Sequence, residues 1–153
     1  MDNIGQDTGR WFFAADTFAE RLRLSNAERE RIEWLVEKHQ VLTDAPNMRP
    51  SRLKPLLNHE GIEELVALHR AEAVAAGGDL GHMEFAESKR REWSANDQLD
   101  PPPLVTGDDL KNLGLTPGPQ FKQLLDAVRE AQLDATIATR DQALELVRQL
   151  TAN

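Results

Sequence analysis

The chain has no cysteine and no tyrosine. Disulfides, thiolate catalysis and cysteine-ligated zinc are therefore excluded, a pattern that fits a reducing compartment. Long apolar runs are missing too. Nothing approaches the ~18 consecutive apolar residues that a membrane span needs. The start, Met1-Asp2-Asn3-Ile4-Gly5, has neither the basic nor the apolar segment of a secretory leader. Together these absences predict a cytoplasmic protein with no membrane partner. Cations are the scarcer charge: 18 Lys and Arg stand against 26 Asp and Glu, a formal net charge of -8. A polynucleotide-binding role requires the few cations to cluster, because phosphate affinity rests on Lys and Arg displacing counterions.

What is present is helical. Hydrophobic residues make up 40% of the 153 residues, enough for one domain or two small helical ones. Trp11, Ala15, Phe18 and Leu22 recur at helical spacing. Ser25 and Glu28 form a capping box ahead of Ile32, Leu35, Val36 and His39. After a break rich in proline and asparagine, Ser51 is placed to cap a short helix carrying Leu53, Leu56 and Leu57. Asn58 is placed to cap a longer one that ends at Gly77-Gly78. A further helix runs from about His82 through Trp93. Asp100-Pro101-Pro102-Pro103 interrupts the helical pattern as a stiff extended stretch. Three small helices follow, the first opened by Thr106 and Asp109, the second by Thr116 and Pro117, the third by Thr139 and Gln142. The expectation is an all-α protein: a helical body over residues 5–97, a Pro-rich linker at 98–103, and a three-helix tail over 104–153. No stretch alternates with a period of two over strand length; Ala135-Thr136-Ile137-Ala138 is the only β-like fragment.

Pro101-Pro102-Pro103-Leu104-Val105-Thr106-Gly107-Asp108-Asp109-Leu110, continued by Leu113-Gly114-Leu115-Thr116-Pro117-Gly118-Pro119-Gln120-Phe121, resembles the carboxy-terminal segment of the bacterial CCA-adding tRNA nucleotidyltransferase and poly(A) polymerase family. Ala131-Gln132-Leu133 and Thr139-Arg140-Asp141-Gln142-Ala143 are similar to its continuation. Upstream, Leu22-Arg23-Leu24-Ser25-Asn26-Ala27-Glu28, Trp34-Leu35-Val36, Asp44-Ala45-Pro46-Asn47-Met48-Arg49 and Leu68-His69-Arg70 resemble the family's middle. The resemblance implies a body and tail that hold tRNA or another structured RNA, without the catalytic head. The family's Gly-Ser turn and metal-binding Asp-x-Asp pair are absent, and so is a His-Asp dipeptide. The resemblance therefore transfers no catalytic residues, and no metal or cofactor is expected. Activity would depend on a separate nucleotidyltransferase head, which is itself a candidate partner.

Two constellations could touch RNA. Arg49, Arg52 and Lys54 lie in a stretch free of carboxylates. Gly118, between Pro117 and Pro119, opens a helix one turn before Lys122; helix starts favour phosphate through amide donors and the dipole. For each there is a plainer reading, as ordinary surface charge or a capped turn. Lys89-Arg90-Arg91 spreads over most of a helix circumference beside Glu84, Glu87 and Glu92 and reads as a salt-bridged face. Histidines 39, 59, 69 and 82 lack the spacing of a metal site; His39 and His69 read as core-edge residues. Trp11, Phe12, Phe13 and Phe18 read as core packing before base stacking. A competing function is a protein-interaction module whose helical surface docks a partner chain.

Overall fold

A computed structural model describes residues 24–152. The helix expected around Trp11, Ala15, Phe18 and Leu22, and the aromatic group with it, lies outside the described residues. Within them the chain is all-α, with no strand. Helix α1 spans Asn26–Lys38 and a 3-10 helix spans Val41–Asn47. The further helices are α2 (Pro50–Asn58), α3 (Ile62–Ala76), α4 (Gly81–Ala95), α5 (Gly107–Asn112), α6 (Pro119–Leu133) and α7 (Arg140–Thr151).

Most boundaries follow from side-chain chemistry. Ser25 caps α1: the Glu28 N–H donates to its hydroxyl, and the Glu28 carboxylate accepts the Ser25 N–H at 2.8 Å. Thr139 and Gln142 close the same box at α7. Asp109 accepts both the N–H and the hydroxyl of Thr106 at the start of α5, at 2.8 and 2.9 Å. Gly77 ends α3 with φ 62°, the left-handed conformation that only glycine adopts without strain, and its N–H reaches the Ala73 and Val74 carbonyls.

Three expected starts are displaced. Helix α2 begins at Pro50 and not after a Ser51 cap, so Pro55 lies inside it. The Ser51 N–H is satisfied instead by the Asp134 carboxylate, at 2.7 Å. Helix α3 is capped by Gly61 and not by Asn58. Helix α6 takes Gly118 as N-cap with Pro119 at the first position, two residues later than Thr116 and Pro117 suggested.

Contacts group the described residues into two units that interleave along the sequence. One contains 24–46 and 59–87, the other 47–58 and 88–152. In the first, α1 packs on α3, and Leu42, Ala45, Ile62, Leu65, Met83 and Ala86 are buried. Ile32, expected inward, is 39% exposed, and α1 contributes no fully buried residue. In the second, α6 packs on α2, α5 and α7. Val105, Leu110, Leu124, Val128, Ala143 and Val147 form its core, flanked by Phe121, Leu125 and Leu146. The proline stretch is pinned within this unit. Arg129 donates to the Pro101 carbonyl at 2.6 Å and to Asp100 at 2.5 Å, and Gln132 donates to the Pro102 carbonyl at 2.7 Å.

Candidate nucleic-acid interface

The Arg49, Arg52 and Lys54 stretch occupies the first turns of α2 and its approach, against the end of α6. Arg49 is exposed, yet its guanidinium pairs with Asp134 and stands 3.5 Å from Glu130. These carboxylates hold its pKa above the usual arginine value, the Asp134 hydrogen bond contributing most. Asp134 is itself nearly buried. Burial alone pushes its pKa up, but the Ser51 N–H and the Arg49 guanidinium together outweigh that and hold the carboxyl below its ordinary range.

Lys54 is not on the surface. It is 6% exposed, donates to the Leu133 carbonyl at 2.9 Å, and lies 5.0 Å from the centre of the Trp93 ring. Burial lowers its pKa; Asp134 nearby works the other way and Arg129 adds to the lowering. Its ammonium therefore caps the carboxyl end of α6 from inside the unit and is withdrawn from solvent. Lys54, expected at phosphate, is thus buried: in α2 it shares a face with Leu53 and Leu57, and its stem follows them inward.

Arg52 is exposed, with no ion-pair partner among the described residues. Two residues from Lys54, it lies roughly 200° away around the helix and so faces outward. Gly118 is exposed with an extended φ of 176°, and a side chain there would meet nothing within 4 Å. Its backbone therefore makes no demand for glycine. Pro119 offers no N–H, and the Phe121 N–H is used by the Gly118 carbonyl at 3.0 Å, which leaves few amides for an anion. Lys122 is exposed in the first turns of α6. It stands about 18 Å along the helix axis from Asp134, so the two constellations are not brought together.

Elsewhere the cations are mostly matched to carboxylates. Arg31 pairs with Glu64 at 2.8 Å, Arg70 with Glu87 at 3.2 Å, Lys89 with Glu92 at 2.8 Å and Arg129 with Asp100 at 2.5 Å. Arg140 pairs with Asp109. Among the described residues no group of three or more His, Asp or Glu is arranged to hold a metal ion, and no helix is long and apolar enough to cross a membrane.

Sequence reasoning missed Asp134, the residue that organises the end of α6. Its only sequence signal is a carboxylate placed just after a helix, where the dipole disfavours it. That oddity points to a cationic partner without saying which.

No protein-family model matches the chain, and no solved structure does. Two curated relatives do. The chain is 30% identical over 135 residues, 84% of its length, to an A-adding tRNA nucleotidyltransferase of Deinococcus radiodurans, of which it covers 31%. Over 46 residues, 30% of the chain, it is 44% identical to an A-adding tRNA nucleotidyltransferase of Geobacter sulfurreducens, covering 5% of that protein. It thus spans under a third of the length of either. The chain is homologous to a minority stretch of these tRNA nucleotidyltransferases, of an extent that suits a carboxy-terminal region without the catalytic head.

Proposed function

We propose that this chain is the RNA-holding part of a tRNA nucleotidyltransferase-like protein, contacting phosphates of tRNA or another structured RNA and performing no chemistry alone. The observation that carries the reading is the similarity to an A-adding tRNA nucleotidyltransferase along 84% of the chain. Of the cations expected at RNA, Arg52 and Lys122 are exposed and available for the contact, with Arg49 after exchange of its carboxylates for phosphate. They stand apart and do not form the cluster that the acidic composition calls for, so the reading rests on the similarity; as separate contacts they would touch backbone phosphates and read no bases.

The test is tRNA binding to the full chain across a salt series. Affinity falls with salt with a slope of about -0.7 to -0.9 per phosphate contacted. Arg52→Glu and Lys122→Glu each flatten the slope by about one contact, and Lys54→Met leaves it unchanged. Absence of low-salt affinity, or affinity indifferent to salt, overturns the reading.

A second reading, docking of a partner such as a separate nucleotidyltransferase head, has one observation in its favour. Val66, Ala67, Ala71, Val74 and Ala75 line an open apolar groove on α3, and Val74 is 70% exposed. Under that reading Val74→Glu abolishes co-sedimentation with a head domain and leaves tRNA affinity alone.

A further inference from the structure

His69 sits on the inner face of α3 and is 5% exposed. Its Nε2 is sealed from solvent and has no hydrogen-bond partner. The ring meets His82, in the first turn of α4, edge-on at 5.9 Å between centroids. The Lys38 backbone at the end of α1 favours a proton on the ring, and His39 opposes one. Histidines from α3 and α4 thus meet, and His39, which follows α1, is near enough to act on the ring's charge, although their spacing along the chain gave no sign of it.

The charged groups around the ring are few. Glu72, one turn further along α3, favours a protonated ring; His82 and His39 oppose it. The Lys38 ammonium is taken by Glu37 at 2.6 Å. Asp79, in the turn before α4, lines the same cavity of about 460 Å³, but its Oδ1 is occupied by the Gly81 N–H at 3.1 Å. No acceptor stands ready for a proton on Nε2.

We propose that His69 is an acid-responsive latch: while its ring is neutral the junction of α1, α3 and α4 stays closed, and a proton on Nε2 opens it. A charged imidazole there would place an unpaired N–H in the interior, beside two further imidazoles, and only opening returns that group to water. Burial, followed by the two neighbouring histidines, accordingly holds the ring's pKa below the ordinary imidazole value, with Glu72 pulling the other way. The unfolded or opened chain then takes the proton first. The stabilising contribution is complete above about pH 6.5, the unperturbed value, and is lost as pH falls from there toward the folded value. Each unit of separation shifts the opening equilibrium about tenfold.

The test follows the histidine Hε1 resonances of the full chain, with amide exchange measured in parallel, from about pH 7.5 to pH 5, above the range in which carboxylates titrate. The latch predicts that His69 titrates below an unfolded-chain histidine. It also predicts that exchange across 35–43 and 66–84, corrected for its intrinsic rate, accelerates at least tenfold toward pH 5. His69→Phe removes the acceleration and His59→Gln retains it. If His69→Phe does not fold, the wild-type titration decides. A His69 that titrates at or above the unfolded value, or that titrates with no change in exchange, overturns the proposal.

Discussion

Arg49 and Asp134, 85 residues apart in sequence, form an ion pair where the approach to α2 meets the end of α6. The same carboxylate accepts the Ser51 N–H, which would otherwise be an unmatched donor at the start of α2. One acidic side chain thus serves the start of one helix while a buried lysine, Lys54, serves the last carbonyl of the other.

Asp134→Ala should therefore cost more than Arg49→Ala. Removing the carboxylate strands the Ser51 N–H, at a cost of about 1–3 kcal/mol. Removing Arg49 deletes a guanidinium that is already largely solvated. Urea midpoints of the two variants check this, and a reversed order would show that leaving the nearly buried Asp134 carboxylate without its cation costs more than stranding the Ser51 N–H.

Lys54→Met should be tolerated and Lys54→Glu should not. Methionine keeps the stem that packs near Trp93 and gives up one hydrogen bond, a loss of about 1 kcal/mol. Glutamate places a carboxylate against the Leu133 carbonyl in a buried site. Thermal unfolding of both distinguishes this interior role from surface charge, for which the two substitutions would behave alike.

Gly61→Ala should destabilise the unit containing α1 and α3. A Cβ there would lie 2.7 Å from the Trp34 ring, which is stacked on His59 at 3.8 Å with 8° between planes. Overpacking of this kind costs about 1–3 kcal/mol. The stack cannot yield freely, because Arg31 crosses the same corner to Glu60 and Glu64. Denaturant unfolding followed by tryptophan fluorescence reads the change.

Acid should weaken the chain a second time, below the histidine window. Capping by Thr106 and, less strongly, Arg140 hold Asp109 below the usual carboxylate value. Burial opposes the same outcome at Asp134, where Ser51 and Arg49 prevail. For carboxyls depressed in the folded state, the stabilisation is complete above their unfolded pKa of about 3.9 and disappears as pH falls through the folded values. Asp109→Asn should reduce the loss of stability between about pH 5 and pH 2.5, measured by thermal unfolding.

The helices themselves were legible in the chain. Capping boxes at Ser25, Thr106 and Thr139, the glycine stop at Gly77 and the apolar spacing of Phe121, Leu124, Leu125 and Val128 are local signals. They act within a few residues and so survive in the linear sequence. Helix type was settled by those signals, but not every start: α2 begins at Pro50, with the Ser51 N–H held by the distant Asp134, and α3 and α6 begin after Gly61 and Gly118 with no side-chain cap. Tertiary structure alone decided the partners. Arg49, Arg52 and Lys54 read as one basic run, yet the turn of the helix sends Lys54 inward to Leu133 and Arg52 outward, while Asp134 claims Arg49. Likewise His69 and His82 are unrelated in sequence, and their rings meet in space. Charge is counted along a chain, but its availability depends on which opposite charge or buried surface the fold sets beside it, and that distance is not written in the order of residues.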